Sequence, residues 1–225
     1  MKFFVAMLAS LLIGCAATNG SERPKDPIQA VTFKSQALKL YRAQAGPGAI
    51  VFPLGVFNEA AADLLVAVLA KADEEKRPVL IVIDSPGGSL SAAYRIMRAI
   101  DISGSPIVCL GDGMVASSAF FTFIQCPVRL ATPKTIFLAH GPSVTMRFEG
   151  GAKEMRNELE ELKVVTSSLC VHVSAHTKIT KAECMERAAE KDWYFDTDDA
   201  KTYGVLDRIV KPQHLPPPTP VTASE

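Results

Sequence analysis

Three short stretches carry residue types that can act together on a carbonyl group. Asp84-Ser85-Pro86-Gly87-Gly88-Ser89 joins a β-branched apolar run to a helical pattern. Glycine at such a junction lets the backbone approach a ligand closely, and the helix start presents unpaired N–H groups. That chemistry suits stabilisation of a developing oxyanion. Gly111-Asp112-Gly113-Met114-Val115-Ala116-Ser117-Ser118-Ala119 repeats the architecture and sets Ser117 among small residues at a helix start. Phe137-Leu138-Ala139-His140-Gly141-Pro142 then puts His140 directly after a strand pattern. Open α/β sheets bind ligands at the C-terminal edge of their strands, and all three features would emerge there. Taken singly, each has a plainer reading: a reversing turn, a helix cap or small packing residue, a structural imidazole. Together on one sheet edge they are much harder to obtain by chance.

The elements that must position them are legible along the chain. Residues 49–52 form a short strand, and Asn58 is an N-cap for a helix running to about Ala72. Residues 79–83 are a continuous apolar run, as in a strand buried on both faces. Helices are expected over 89–100 and 115–124, and strands over 106–110, 128–131 and 136–139. A long charged helix from about 152 to 175 precedes a shorter one near 181–190. Strands alternating with helices imply a parallel sheet covered by helices. The class is α/β.

The chain has 225 residues, 48% of them hydrophobic, with 24 basic and 24 acidic side chains. That is enough for one domain of roughly 170–190 residues plus a targeting segment and tails. A zero net charge offers no field for nucleic acid, and no basic run is interleaved with aromatics. No nucleic-acid partner is expected. Residues 1–15 read as a short signal segment: Lys2, an apolar stretch from Phe3 to Gly14, then Cys15 after Leu-Ile-Gly. The stretch is shorter than the ~20 apolar residues of a spanning helix. Its ending resembles the lipobox of bacterial lipoproteins, which implies acylation of Cys15. Acyl chains partition at ~0.8 kcal/mol per buried CH₂, so several of them anchor firmly. Ala16 stands where an Asp would retain such a protein in the inner membrane, so the expected address is the periplasmic side of the envelope, at the outer membrane. Residues 16–30 are small, polar and Pro-containing, a flexible tether, and 212–225 are a Pro-rich disordered tail. The domain is expected over 31–211. In an oxidising compartment, Cys109, Cys126, Cys170 and Cys184 admit three complete pairings. Cys170 and Cys184 lie on neighbouring helical segments, but four buried thiols are an equal alternative.

Residues 83–89, 113–119 and 138–142 together resemble the three signature blocks of the proteolytic subunit of Clp proteases. A fourth block, 194–207, resembles that family's closing strand and helix. The resemblance runs from about Gly48 to Val210. It implies the Clp protease/crotonase-like fold of repeated β-β-α units, with a largely parallel sheet and a protruding long helix. It also implies acyl transfer through a covalent serine intermediate, with Ser117 as nucleophile, His140 as general base, and the N–H groups of Gly88 and Ser118 as oxyanion donors. No cofactor and no metal are implied. The substrate would be a peptide or unfolded protein. The 154–163 region matches the handle helix through which Clp rings stack, so a homo-oligomeric ring is a further expectation.

One position departs from the family. The third triad member is an Asp on the helix before the closing block, and Ala188 stands there. In serine proteases loss of that Asp costs ~10⁴ in kcat. Another carboxylate could substitute: Asp192 lies one helical turn beyond Ala188, with Glu190 and Asp196 less well placed. Alternatively the site works as a Ser–His dyad, or the chain is a catalytically impaired relative that binds peptides or scaffolds. Relatives in the wider superfold that use a Ser–Lys dyad, or oxyanion loops without a serine, are disfavoured by a His at this position. No phosphate-binding loop is present, so an exported enzyme would be ATP-independent. His172 and His176 have the four-residue spacing of a metal pair, but no Glu intervenes and no third ligand is evident. Trp193-Tyr194-Phe195 is expected in the core.

Overall fold

The computed structural model describes residues 44–142, 151–190 and 192–210. The expected signal segment with Cys15, the expected tether at 16–30 and the expected tail at 212–225 lie outside the described residues. Seven strands and six helices are described. Strands β1 (Ile50–Leu54), β2 (Val79–Ser85) and β3 (Ile107–Ala116) are joined through helices α1 (Glu59–Glu75) and α2 (Leu90–Ile102). Helix α3 (Ser118–Gln125) leads to β4 (Val128–Ala131) and β5 (Ile136–Ala139). Helices α4 (Ala152–His176) and α5 (Lys181–Glu190) precede β6 (Trp193–Phe195), α6 (Thr197–Thr202) and β7 (Arg208–Ile209). The sheet order is β1-β2-β3-β4-β7, with β5 pairing β3 and β6. Every pairing is parallel except β5 with β6. The mixed α/β class and the mostly parallel sheet agree with the sequence reading.

Period-two alternation sorts the buried side chains. Val79, Ile81, Ile83, Ile107 and Cys109 enter the large core, while Leu80, Val108, Leu110 and Leu130 form a second cluster on the opposite face. Asn58 caps α1 through its side-chain oxygen, which accepts from the Ala61 N–H at 2.9 Å. Ser89 caps α2 in the same manner from Ala92. Phe137 stacks on Phe195 at 5.5 Å between ring centres, and Phe120 meets Phe195 edge-on at 5.8 Å.

Three local expectations are corrected. Residues 111–116 are strand rather than turn and helix start, because β3 serves two partners. Its first part pairs Val108–Gly111 with Val128–Ala131, and its second pairs Met114–Ala116 with Ile136–Leu138. Gly113, at φ +123°, permits the bend between them. The register against β2 shifts at Ile83/Ser85, and Asp84 Oδ1 accepts the Met114 N–H at 2.9 Å in place of a ladder partner. Helix α3 therefore begins at Ser118 rather than Val115. Third, Tyr194 is 58% exposed although Phe195 beside it is buried, as the alternation of a strand requires.

The four cysteines pair as Cys109–Cys126, between β3 and the end of α3, and Cys170–Cys184, between α4 and α5. Of the sequence alternatives, the 170–184 pairing is realised and the four-thiol alternative is not. Arg129 closes the C-terminal segment onto this body: it pairs with Asp207 at 2.8 Å and donates to the carbonyls of His176 and Gly204.

Candidate active site

Strand β3 ends at Ala116 and α3 begins at Ser118, so the chain turns from strand to helix in one residue. That residue, Ser117, has φ 58° and ψ −126°. Positive φ at a non-glycine residue costs roughly 1–3 kcal/mol and persists only where neighbours over-determine it. They do so here: the Ser117 N–H donates to the Leu138 carbonyl at 2.9 Å, and its own carbonyl accepts from Phe120 at 2.9 Å. A sharp strand-to-helix turn of this kind lifts the side chain above the sheet edge. The Ser117 hydroxyl makes no helix-capping bond. Its neighbour differs: Ser118 Oγ is buried without a hydrogen-bond partner. Of the serine pair, the half-buried Ser117 is the one with a hydroxyl to offer.

The β2–α2 junction lies directly against this turn. Gly87 (φ +96°) would place a Cβ 2.7 Å from both the Ala116 oxygen and the Ser117 Cβ, and 3.1 Å from the Ser118 nitrogen. Only glycine permits that approach. Gly88 (φ +143°) is bridged to Phe57, and a Cβ there would overlap the Phe57 carbonyl. The bridge engages the flanking groups: Phe57 N–H donates to Gly87 at 2.9 Å, and Ser89 N–H donates to Phe57 at 2.8 Å. The Gly88 N–H is thereby turned away from Phe57. Ser118 is the first residue of α3, so its N–H has no acceptor one turn back. A network beneath fixes the start of α2. Glu59 accepts from Ser91 at 2.6 Å and from Arg95 at 2.7 Å, and these bonds hold its carboxyl below the usual range.

Gly88, Ser117, Ser118 and His140 line one cavity of about 400 Å³, so all four residues come to the same space. Its opposite wall is α4, through Leu162, Val165 and Leu169 with Glu158 and Glu161. No hydrogen bond joins Ser117 to His140 among the described residues. Nucleophile–base hydrogen bonds are often long or unformed without substrate. Among the described residues, the His140 ring bonds through Nδ1 to the main-chain oxygen of Gly141, at 2.5 Å.

Asp192 is not brought to this cavity. Helix α5 ends at Glu190, so the turn projected from Ala188 to Asp192 is never completed. Asp192 is exposed beside Arg187, Glu190 and Tyr194 around a separate depression. Asp196 is committed elsewhere, accepting the N–H groups of Asp198 and Asp199 as the N-cap of α6. Ala188 itself lies behind His140. It lines a void of about 20 Å³, room for roughly one water, together with His140, Gly141 and the Cys170–Cys184 pair. Sequence reasoning placed Gly87 in the junction motif without giving it a specific packing role, and did not foresee the contact of His140 with the Gly141 carbonyl. The paired glycines at 87–88 signalled the first; a main-chain atom leaves no signal for the second.

The histidine pair on α4 is engaged with carbonyls: His172 Nε2 bonds the Phe121 oxygen at 3.0 Å, and His176 Nδ1 bonds the His172 oxygen at 2.9 Å. Burial holds His172 below the ordinary imidazole value, with His176 adding to the shift and the Phe121 bond and Asp101 opposing it. No cluster of three ligating side chains occurs among the described residues.

Comparison with known proteins gives a consistent result. The chain is 27% identical over 164 residues to the ATP-dependent Clp protease proteolytic subunit 1 of Chlamydia caviae, covering 72% of this chain and 85% of that one. It is 29% identical over 151 residues to the ATP-dependent Clp protease proteolytic subunit 2 of Borreliella burgdorferi, covering 65% and 74%. The Clp protease family profile matches residues 35–213, the larger part of the sequence. The chain belongs to the Clp protease family.

Proposed function

We propose that the chain is a serine endopeptidase acting on peptides or unfolded segments in the cell envelope, without an ATP-driven partner. One observation carries the reading: a hydroxyl on a strained strand-to-helix turn shares a cavity with an imidazole and with Gly88 and Ser118, whose N–H groups have no acceptor in their own elements. Ser117 Oγ attacks the scissile carbonyl as His140 Nε2 takes its proton, and the two N–H groups hold the resulting oxyanion. Collapse expels the amine, which receives that proton. Water then repeats the sequence on the acyl-enzyme and restores the serine. Glu158 and Glu161 on the far wall favour substrates with basic side chains.

The envelope location is supported by the lipobox-like ending at Cys15 and by two disulfides, which persist in oxidising compartments. Radiolabelled palmitate incorporated into the wild type and absent from Cys15→Ser would support it; equal incorporation would remove it. Ring assembly is supported by the exposed first half of α4, where Met155 and Leu159 are 41% and 49% accessible. Sedimentation as a monomer would count against it.

The test of the activity is a fluorophosphonate probe with mapping of the labelled residue. Labelling at Ser117, lost in Ser117→Ala and His140→Ala, is the expected result. A folded sample that resists labelling favours a second reading, a catalytically impaired peptide-binding protein. Ala188, and Asp192 lining a separate depression rather than the cavity, are what favour that alternative.

A further inference from the structure

We infer that the main-chain carbonyl of Gly141 is the positioning group for His140, holding the imidazole as its Nδ1–H tautomer in the place where relatives use a side-chain carboxylate. The inference rests on the peptidase reading for its consequence but on geometry for its content. A carbonyl oxygen can only accept, so the 2.5 Å contact at Nδ1 requires the proton to sit on Nδ1. A neutral imidazole carries one such proton, which leaves Nε2 bare. Nε2 is then able to receive the Ser117 proton, and the ring cannot rotate without breaking the bond.

The surroundings explain why this carbonyl is held there. Gly141 packs on α5 so closely that a Cβ would lie 3.2 Å from the Ala188 oxygen and 3.8 Å from the Ala188 Cβ. The small side chain at 188 is what admits the loop. Pro142 is next in the chain and has no N–H to compete for a partner. The remaining space beside Ala188, about 20 Å³, is lined mainly by apolar groups such as Phe120, Leu169, Val173 and Trp193. That space has room for about one water, and among the described residues Asp192, Glu190 and Asp196 do not line it. Orientation is thus supplied, but full negative charge is not. A neutral acceptor fixes the tautomer without stabilising the imidazolium as a carboxylate does. The site should turn over more slowly than one with a complete triad, yet faster than a freely rotating dyad.

The decisive measurement is nitrogen NMR of the full chain labelled with ¹⁵N-histidine, above the titration range of the ring, with His140 assigned by its loss in His140→Gln. The expected spectrum shows Nδ1 protonated and Nε2 unprotonated. Free imidazole side chains favour the opposite tautomer, so finding Nε2–H would overturn the inference. Gly141→Ala supplies the second arm, since its Cβ would lie 3.2 Å from the Ala188 oxygen, and either the Gly141 loop or α5 must give by a few tenths of an ångström. The tautomer should then become mixed and fluorophosphonate labelling should slow ~10-fold. An unchanged spectrum together with an unchanged rate would also overturn it. The two readings fail separately. Labelling with an Nε2–H ring defeats the positioning role alone; an Nδ1–H ring in a protein that never labels defeats the peptidase alone.

Discussion

Ser117 and the Gly87–Gly88 turn stand at the ends of the two longest strands, β3 and β2, whereas His140 follows the four-residue strand β5, and Gly141 beside it rests on α5, none of whose residues is buried. The Ser117 side is held by the core itself. Strand β2 pairs along its length with β3, and Ala119, Phe120 and Phe123 of α3 are fully buried behind Ser117. On the His140 side, β5 is tied into the sheet by β3 and β6, but the residues that follow it rest on local ties: the Cys170–Cys184 bridge, the Gly141–Ala188 contact, and Arg187 over the Trp193 ring at 4.4 Å. Under the proposed peptidase reading, the firmer Ser117 half would fix where a carbonyl sits, and the His140 half would set how well a proton is taken.

The largest effect should come from the rigid side. Ser117→Ala is expected to abolish fluorophosphonate labelling and to lower peptide hydrolysis by ~10⁴-fold or more, and His140→Ala should cost nearly as much. Their combination should cost little beyond either, because residues acting as one unit are not additive. Additive losses in a double-mutant series would break the pairing of the two halves. Next is Gly87→Ala. Its Cβ would press on Ala116 O and Ser117 Cβ at 2.7 Å, at a φ of +96° that alanine disfavours. A stability loss of roughly 3 kcal/mol or more is expected in urea unfolding. A loss below about 1 kcal/mol would mean that the Ser117 side yields more easily than its packing implies.

The two disulfides sharpen the contrast. Each closes a short loop, with sequence separations of 17 and 14, and each should contribute about 3 kcal/mol. Their removal should loosen different parts of the molecule. Cys109 and Cys126 are both inside the core, so Cys109→Ala with Cys126→Ala should lower protection from hydrogen exchange across β2, β3 and α3 together. Cys170→Ala with Cys184→Ala should release α5 first, lowering protection over 181–190 while β2 and β3 keep theirs. Equal loss throughout in both variants would erase the distinction between the halves.

The sequence carried these halves unequally. Apolar runs at 79–83 and 107–110, the caps Asn58 and Ser89, and the strands at 128–131 and 136–139 were legible because burial and capping act through side chains. The Gly111–Gly113 bend was misread as a turn, since glycines permit a bend inside a strand as readily as a reversal. That Ser117 and His140 come to one cavity was legible from their positions directly after strand patterns. The partner of His140 was not, because a carbonyl is common to every residue. Asp192, projected one helical turn beyond Ala188, lies past the end of α5 at Glu190 and does not line the His140 cavity, because spacing says nothing about where a helix ends.

His172 offers the smallest test, at the seam between the halves. Its Nε2 bonds the carbonyl of Phe121, whose residue lines the cavity wall. Burial lowers its pKa in the folded protein, His176 lowers it further, and Asp101 and the Phe121 bond act the other way. The unfolded chain, with an ordinary imidazole value of about 6.5, therefore binds the proton first as pH falls. The stability associated with neutral His172 is fully present above about pH 6.5 and declines below it, until the folded state also takes the proton. His172→Gln retains a donor for Phe121 and removes the titration. Between pH 7 and 5 its unfolding free energy should fall less steeply than that of the wild type. If the two slopes coincide, protonation of His172 is relieved at no cost by movement of α4, and the seam is looser than its hydrogen bond implies.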